Sequence, residues 1–580
     1  MLPLNNNLET KLHQWRSDDL KKYVALLGGS GSIALKGKRV DFICQKLLTK
    51  ASLQTIWQEL DAISQRAISV AYHNDGEFDT TAFVAQYGDL PPRPKKESYW
   101  YYSREPIIFD LFVVDGQIPD DLMPLLADSV LPLERFQLEG LEDLPSEVTR
   151  AEYDWDVASV ETELIGRADL LTYLQMVEQK QVKFGAKNNR LTAASVRKVM
   201  SNLMAGDFRD EQPDNVTGRT TIRPFGLDVF SQESGLITRT GKLTKVGRDY
   251  LNTQDPDIML AAYEKWADSG KFDELHRIKN LGGLKSRGTR LTPPASRREK
   301  IIEALSWCPV DRWIDINDFY RAIIIWGFDF EAENTDYTNL HIGARSYGEL
   351  HGENYWSVVN GLYINAIIWE YLGTIGAVDV AFTEDEYACF IKTYYLDEPV
   401  SLFDGLLYFR INKWGAFLLG QADDYRPAQP KQKDLFTIDT NKRLHLLADL
   451  APNERLQLEA MAEQVDGKTY QLSALQLLTA VESGQSLDQL TTFLQANHQG
   501  EMKTAVSKWL AQLQTNQGAF KEVETAVLIQ LNQRGLQKLT QEDQVLAKLC
   551  QKVNTKTILV PSSKLNRFRK RLKEMGYLLA

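Results

Sequence analysis

The sequence predicts an α+β, mostly helical protein built from several small domains, and three observations predict it. At 580 residues the chain is long enough for about three to five domains. Apolar residues recur at helical spacing along most of its length, whereas strand-like stretches are short and come in pairs around turn residues. One stretch is also repeated: LTKVGRDYL, Leu243–Leu251, aligns without gaps to INKWGAFLL, Ile411–Leu419. In that alignment Lys245 matches Lys413, Gly247 matches Gly415 and Leu251 matches Leu419.

The first element is a helix from Ser17, with Leu20, Val24 and Leu27 at i, i+4 and i+7. Ser17 is its expected N-cap, and Asp18 and Asp19 in the first turn suit the helix dipole. Gly28 to Gly31 stop it, and KGKRVDFICQKLL opens a second helix with Val40, Ile43 and Leu47 on one face. The Gly37-Lys38 pair invites comparison with a phosphate-binding loop. That loop needs a glycine where Ser32 stands, a hydroxyl where Arg39 stands, and a strand before it, so the nucleotide reading fails. The pieces SDDLKKYVALLG and GKRVDFICQKL resemble the SAP motif, a small helix–turn–helix DNA-binding module, here with a longer intervening segment. The resemblance implies a SAP-like helical domain over 1–60 and places Lys38 and Arg39, with Lys36 nearby, on a DNA backbone. A helix N-terminus suits such anion contact. Residues 61–155 are expected to be a helical connecting region.

The middle of the chain predicts two winged-helix-like domains, 156–255 and 296–422, joined by a basic linker over 256–295. Each copy of the repeat follows a short strand-like stretch with turn residues, SGLITRTGK in one case and FDGLLYFR in the other. Helices are expected upstream at Glu163–Met176 and Thr192–Leu203 in the first, with Thr192 as a cap. The second has Arg297–Trp307, Ile316–Trp326 and Trp356–Leu372. Such a β-ribbon with three helices can enter a DNA groove or dock a protein. For DNA contact the candidates are Arg197 and Lys198 on the second helix, and Arg239 and Lys242 on the wing. In the linker Lys285, Arg287 and Arg290 are candidates, with Arg297 and Arg298 in the same exposed basic run.

After a linker at Asp423–Asp434 the pattern changes. Two short strands flank the turn Thr440-Asn441, and a helix is expected over Pro452–Val465. At its end and running past it, Ala462 to Thr469 fits a relaxed phosphate-loop string, but Glu463 and Asp466 would repel phosphate, and a polar turn after the helix is the reading. Helices follow from Ser473 to Gly484, from Ser486 to about Ala496, and over Glu501–Leu513. The residues Tyr470, Leu472, Ser473 and Ala480, then Gly484, Ser486, Leu487, Leu490, Phe493 and Leu494, carry a resemblance. Over 435–580 the chain resembles the helicase-associated, non-motor domain of XPB-type DNA-repair helicases, and the stand-alone bacterial proteins that carry it without a motor. The resemblance implies a DNA-linked adaptor. The final helix, Ser562–Met575, has Lys564, Arg567 and Arg571 at helical spacing and Leu565, Phe568 and Leu572 opposite.

Charge points the same way. The net charge is −11, which argues against indiscriminate coating of nucleic acid. Three basic islands stand out against it: residues 1–50 with nine Lys/Arg and four acids, 276–300 with eight and one, and 561–573 with six and none. The four cysteines are scattered singly and the histidines are dispersed, so no metal site, disulfide framework or cofactor is predicted. The acidic stretch Asp329–Asp336 lacks the glycine and glutamate of a calcium loop. No secretory signal or membrane-length apolar run is read, and a cytoplasmic address is the expectation. The reading is a non-catalytic DNA-binding adaptor, linked to DNA repair or helicase action, that contacts the backbone without sequence readout. The alternative is a protein-interaction scaffold that docks a helicase or nuclease without touching DNA.

Overall fold

The computed structural model describes residues 6–94, 105–150, 153–209, 216–285, 290–334, 339–343, 350, 355–383, 401–426, 434–450, 452–482, 487–516, 525–531 and 536–579. The fold is α+β, roughly half helical, with small antiparallel sheets. One compact unit comprises Met1–Gln432, Asp449–Met461 and Thr479–Gln489; a second comprises Lys433–Ala448, Ala462–Leu478 and Leu490–Ala580.

The first unit opens with six helices: α1 (Leu8–Gln14), α2 (Ser17–Leu26), α3 (Lys36–Leu47), α4 (Lys50–Glu59), α5 (Ala62–His73) and α6 (Thr80–Tyr87). A single turn, α7 (Met123–Leu126), follows. Asn7, Asp61 and Asp79 cap α1, α5 and α6 through their side chains. Leu20, Val40 and Ile43 share one core with Phe109, Phe112 and Leu122. The expected division at residue 60 therefore does not separate two cores. Two amphipathic helices and their neighbours bury too little alone, and the segment to residue 130 completes the core. Ser17 is also not the cap of α2: it is the first helical residue, and its hydroxyl accepts from Arg39.

A second core follows in the same unit. Its elements begin with a hairpin of β1 (Glu147–Arg150) and β2 (Tyr153–Asp156), then β3 (Ala158–Val160), α8 (Glu163–Glu178), α9 (Ala193–Met200) and α10 (Arg223–Glu233). Next come α11 (Lys245–Thr253), α12 (Pro256–Ala267), β4 (Leu281–Gly282), α13 (Pro294–Ser306), β5 (Trp313–Asp315) and α14 (Ile316–Ile325). After β6 (His341–Ile342), the successive helical segments Trp356–Gly361, Leu362–Asn365 and Ala366–Gly373 run on as one rod, α15, whose junction residues all keep helical backbone angles. β7 (Val378–Phe382), β8 (Leu406–Ile411) and α16 (Lys413–Leu418) close the series. The main sheet has the order β3-β7-β8-β5, all antiparallel. Its inner face, with Val380 and Phe409, joins the large core. Its outer face, with Trp313, Leu407 and Tyr408, is covered by Leu144, Val148 and Val157.

The repeat seen in the sequence is a repeat of local geometry. Thr244 and Asn412 each cap a helix by accepting from the amide of the glycine three residues on, Gly247 and Gly415. The same two caps donate back to the carbonyls of Gly235 and Gly376, at 2.7 and 2.9 Å. A Cβ on Gly247 would overlap the Leu236 carbonyl, and one on Gly415 that of Ala377. In both copies a helix, α10 or α15, ends on a left-handed glycine at φ +79° or +85° and feeds a strand-like return to the capped helix. The two rods cross where Gly226 lets α10 approach the Glu370 carbonyl.

Residues 256–295, expected as an exposed linker, are instead largely core. Met259, Tyr263, Trp266, Leu275 and Ile278 are buried among side chains from both flanking segments. The stretch binds its neighbours into one body because α12 presents an apolar face at i, i+3, i+4 and i+7.

The helix α17 (Pro452–Glu459) belongs to the first unit. In the second unit β9 (Phe436–Ile438), β10 (Arg443–Leu446), β11 (Ala462–Asp466) and β12 (Thr469–Leu472) form a sheet ordered β11-β12-β10-β9. The expected helix over Pro452–Val465 thus ends at Glu459 and gives way to a hairpin. Asp466 accepts from the Lys468 amide across the Gly467 turn, and this cross-strand pairing overrides the helical spacing. The phosphate-loop lookalike is the hairpin itself. Helices α18 (Ala474–Glu482), α19 (Leu487–Asn497) and α20 (Thr504–Asn516) lie close to their predicted spans; Gly484 and Ser486 fall outside the described residues. A second sheet, with β13 (Ala526–Gln530), β14 (Gln551–Asn554) and β15 (Thr557–Pro561) in the order β13-β15-β14, has α21 (Leu536–Glu542), α22 (Leu546–Leu549) and α23 (Ser562–Glu574) beside it. Phe568 of α23 is buried with Ile529, Ile558 and Val560.

Candidate nucleic-acid interface

The three basic islands meet different fates. In the first, Arg39 is buried, with 8% exposed. Its Nε donates to the Ile33 carbonyl and its Nη1 to the carbonyl and hydroxyl of Ser17, each at 2.7 Å. Arg39 therefore clamps the loop to α2, which corrects its assignment to a phosphate. Lys36 donates to the His13 carbonyl at 2.6 Å. Lys38 is the exposed cation of the set, beside Asp41 in a shallow depression.

The second island is mostly turned inward. Arg298 has no exposed surface. Its guanidinium reaches Glu274 at 2.5 Å and the carbonyls of Trp266, Ser269 and Phe272. Arg297 pairs with Asp273 at 2.7 Å and lies over the Tyr363 ring. Arg277 pairs with Glu370 at 2.5 Å and also donates to the carbonyls of Gly218, Arg219 and Thr221. Burial pushes the Glu370 carboxyl upward, against the pull of Arg277. Arg297 and Arg298 are thus parts of a buried ion-pair lattice rather than of an exposed basic run. Lys285 and Arg290 are exposed; Arg287 lies outside the described residues.

The third island is largely a surface. On α23, Lys564, Arg567, Arg569, Lys570 and Lys573 are exposed, and none has an ion-pair partner among the described residues. Arg571 differs: it pairs with Asp543 at 2.7 Å and with Glu574 at 3.1 Å. That bond holds the Asp543 carboxyl down to about 2. Arg571 is committed to tying α23 to the turn before α22, which corrects its grouping with Lys564 and Arg567. Elsewhere, Arg197 and Lys198 are exposed on α9, whose cap Thr192 accepts from Ser195 as expected. Arg239 and Lys242 are exposed at the tip of the turn closed by Thr238 and Lys242.

The sequence reading missed a cavity of about 1870 Å³ in the first unit, between α9, α10 and the segment from Gly270 to Leu284. Seven Lys/Arg and three Asp line it. Two of the cations are structural: Arg223 pairs with buried Asp169, and Arg277 fixes the 218–221 backbone. Asp207 is also structural, accepting from the amides of Ile222 and Arg223 at the start of α10. Arg190, Arg219 and Lys271 are not engaged in ion pairs among the described residues, and the latter two are exposed. Burial raises the Asp228 carboxyl to about 6. Phe272 lies under the Arg190 guanidinium and edge-on to Phe225, whose other neighbour is the Arg277 guanidinium at 4.0 Å. Arg190, Arg219 and Lys271 lie far apart in sequence and outside the three basic islands, so no local run of charge marks them.

Among the described residues no group of His, Cys, Asp or Glu could hold a metal ion, and no helix is long and apolar enough to cross a membrane. In the stretch Asp329–Asp336, Asp329 accepts from Trp356 and Asn360, and residues 335–336 lie outside the described part. No protein-family profile matches the chain, and no curated protein matches it significantly.

Proposed function

We propose that the chain is a non-catalytic DNA-binding adaptor that grips the nucleic-acid backbone and serves DNA repair or helicase action. The observation that carries this reading is α23: five exposed cations without ion-pair partners among the described residues, on a helix anchored through Phe568. Fixed cations on one rigid helix neutralise neighbouring phosphates, which is the physical basis of backbone binding. Three further features support it. The order α13, β5, α14, α15, β7, β8, with β5 paired to β8, is the order of a winged helix, and α8, α9, α10 with the turn at 238–242 follow it in outline. The α2–α3 pair resembles a SAP motif and leaves Lys38 exposed. The likeness of residues 435–580 to the helicase-associated domain of XPB-type helicases supplies the link to repair.

The test is a salt-titrated gel shift with a short duplex. Binding through the α23 cations gives a linear fall of log affinity with log salt, with a slope of about −4.5 for five phosphates. No binding at low salt ends the proposal, and ATP hydrolysis by the purified chain ends its non-catalytic part. The scaffold reading has one observation in its favour: on the sheet beside α23, Leu528 and Val553 stand 63% and 53% exposed, as an apolar docking face would. It predicts no duplex binding together with a stably co-purifying helicase or nuclease.

A further inference from the structure

We infer that the cavity between α9, α10 and the Gly270–Leu284 segment is a binding site for a single-stranded nucleic-acid segment, separate from the α23 surface. The inference rests on the nucleic-acid reading above but on none of the residues that carry it. Its volume, about 1870 Å³, exceeds the about 300–1,000 Å³ that encloses one small molecule. The occupant is therefore larger than a metabolite, or a polymer passing through.

The lining sets its chemistry. Cations outnumber carboxylates there although the chain as a whole is acidic. The loop carrying Arg219 is not free to retract, because buried Arg277 holds the carbonyls of Gly218, Arg219 and Thr221. Arg219 is thus presented by a fixed backbone, and Lys271 by the turn after Ser269. The Nη1 of Arg190 is buried without an acceptor among the described residues, a donor that native proteins rarely leave unmet.

The walls also carry aromatic rings beside the cations: half-buried Phe225 and Phe272 line the same space, whereas Phe208 and Phe382 at its edge belong to the core. Cations that follow a backbone, beside rings on which bases stack, are the combination that holds single strands. A duplex keeps its bases stacked inside and offers nothing to those rings.

Fluorescence anisotropy on the full chain tests this with a labelled oligothymidine of about 10 nucleotides, within the ~4–16 of known single-strand sites. A blunt duplex runs in parallel. Two double variants are compared, Arg219→Glu with Lys271→Glu in the cavity, and Arg567→Glu with Lys570→Glu on α23. The cavity variant is expected to lose at least about tenfold in oligothymidine affinity with duplex affinity unchanged, and the α23 variant the reverse. Should charge reversal disturb folding, the pair Arg219→Gln and Lys271→Gln gives a smaller loss in the same direction. Acetylation of Lys271, read by mass spectrometry, is expected to fall when oligothymidine is bound. The inference is overturned if oligothymidine does not bind the parent chain, or binds it without slowing Lys271 acetylation. Equal binding by the cavity variant overturns it too, and the adaptor reading survives that result if duplex binding is still lost on α23. Oligothymidine binding that protects Lys271, without any duplex binding, supports the cavity site and ends the reading built on α23.

Discussion

Two regions of this chain are written in the same basic alphabet and do opposite things with it. The segment 276–300 carries eight Lys/Arg against one Glu, and the segment 561–573 carries six against none. In the first, Arg277, Arg297 and Arg298 face inward and meet Glu370, Asp273 and Glu274. In the second, five cations of α23 face solvent and only Arg571 has carboxylate partners among the described residues. The difference teaches that a run of cations has a meaning only once its counter-ions are located. Arginine suits the inward role because its planar fork satisfies several acceptors at once, as Arg298 does with Glu274 and three carbonyls. The lysine-rich set suits the outward one, where strong hydration keeps the charge in water.

The largest expected effect breaks the inward lattice. Arg298→Ala leaves Glu274 buried beside Tyr363 with no cation at hydrogen-bond distance among the described residues. Removing one partner of a buried pair costs about 3–5 kcal/mol. Urea denaturation should show that loss as a lower midpoint. The double variant Arg298→Met with Glu274→Gln should recover part of it, because the stranded charge is gone. A loss below about 1 kcal/mol for Arg298→Ala would mean that the pair is solvated and the contrast with α23 false.

How far the sequence discloses this contrast depends on the range of the interaction. The helix caps Thr192, Asp315 and Asn412 act within three residues, and the spans of α8, α9, α13, α14, α15, α18, α19, α20 and α23 follow from such local rules. The repeat around Gly247 and Gly415 was legible for the same reason: a cap and a close-packed glycine are fixed at one spacing. The buried lattice was not. Arg277 finds Glu370 across 93 positions, and nothing near either residue announces the other. One signal was available: the doublet Asp273-Glu274 stands 24 residues before the doublet Arg297-Arg298, each residue pairing with its counterpart. The first strand of the hairpin reads as helix from Ala462 as far as Val465, because Leu458 and Val465 keep helical spacing and strand pairing is decided by the partner strand. The cavity cations escaped because Arg190, Arg219 and Lys271 lie far apart in the chain and converge only in the fold.

A smaller effect on stability, and a large one on binding, is expected from the outward set. Arg567→Glu with Lys570→Glu touches no ion pair among the described residues and should shift stability by no more than about 0.5 kcal/mol. The same variant should lower the salt slope of duplex binding by about 2 units, one for each lost phosphate contact. Thermal melting and a salt series on one preparation read both quantities. If the melt moves and the slope does not, α23 is a second inward lattice and the comparison collapses.

The smallest effect probes Arg571, which stands between the two classes. Asp543 is held down to about 2, first by the Arg571 hydrogen bond and then by the Leu546 amide. A carboxyl depressed by folding contributes stability that is complete above its unfolded value, near 4, and is lost as pH falls through about 2. Arg571→Gln should therefore loosen α23 at pH 6, because Asp543 then keeps only the amides of Val545 and Leu546. Below pH 2 the parent and the variant should behave alike, since the carboxyl is protonated in both. Hydrogen exchange of the α23 amides between pH 6 and pH 2 follows that convergence. Curves that run parallel across the whole range would show Arg571 holding no carboxylate, and would return it to the exposed cations of the same helix.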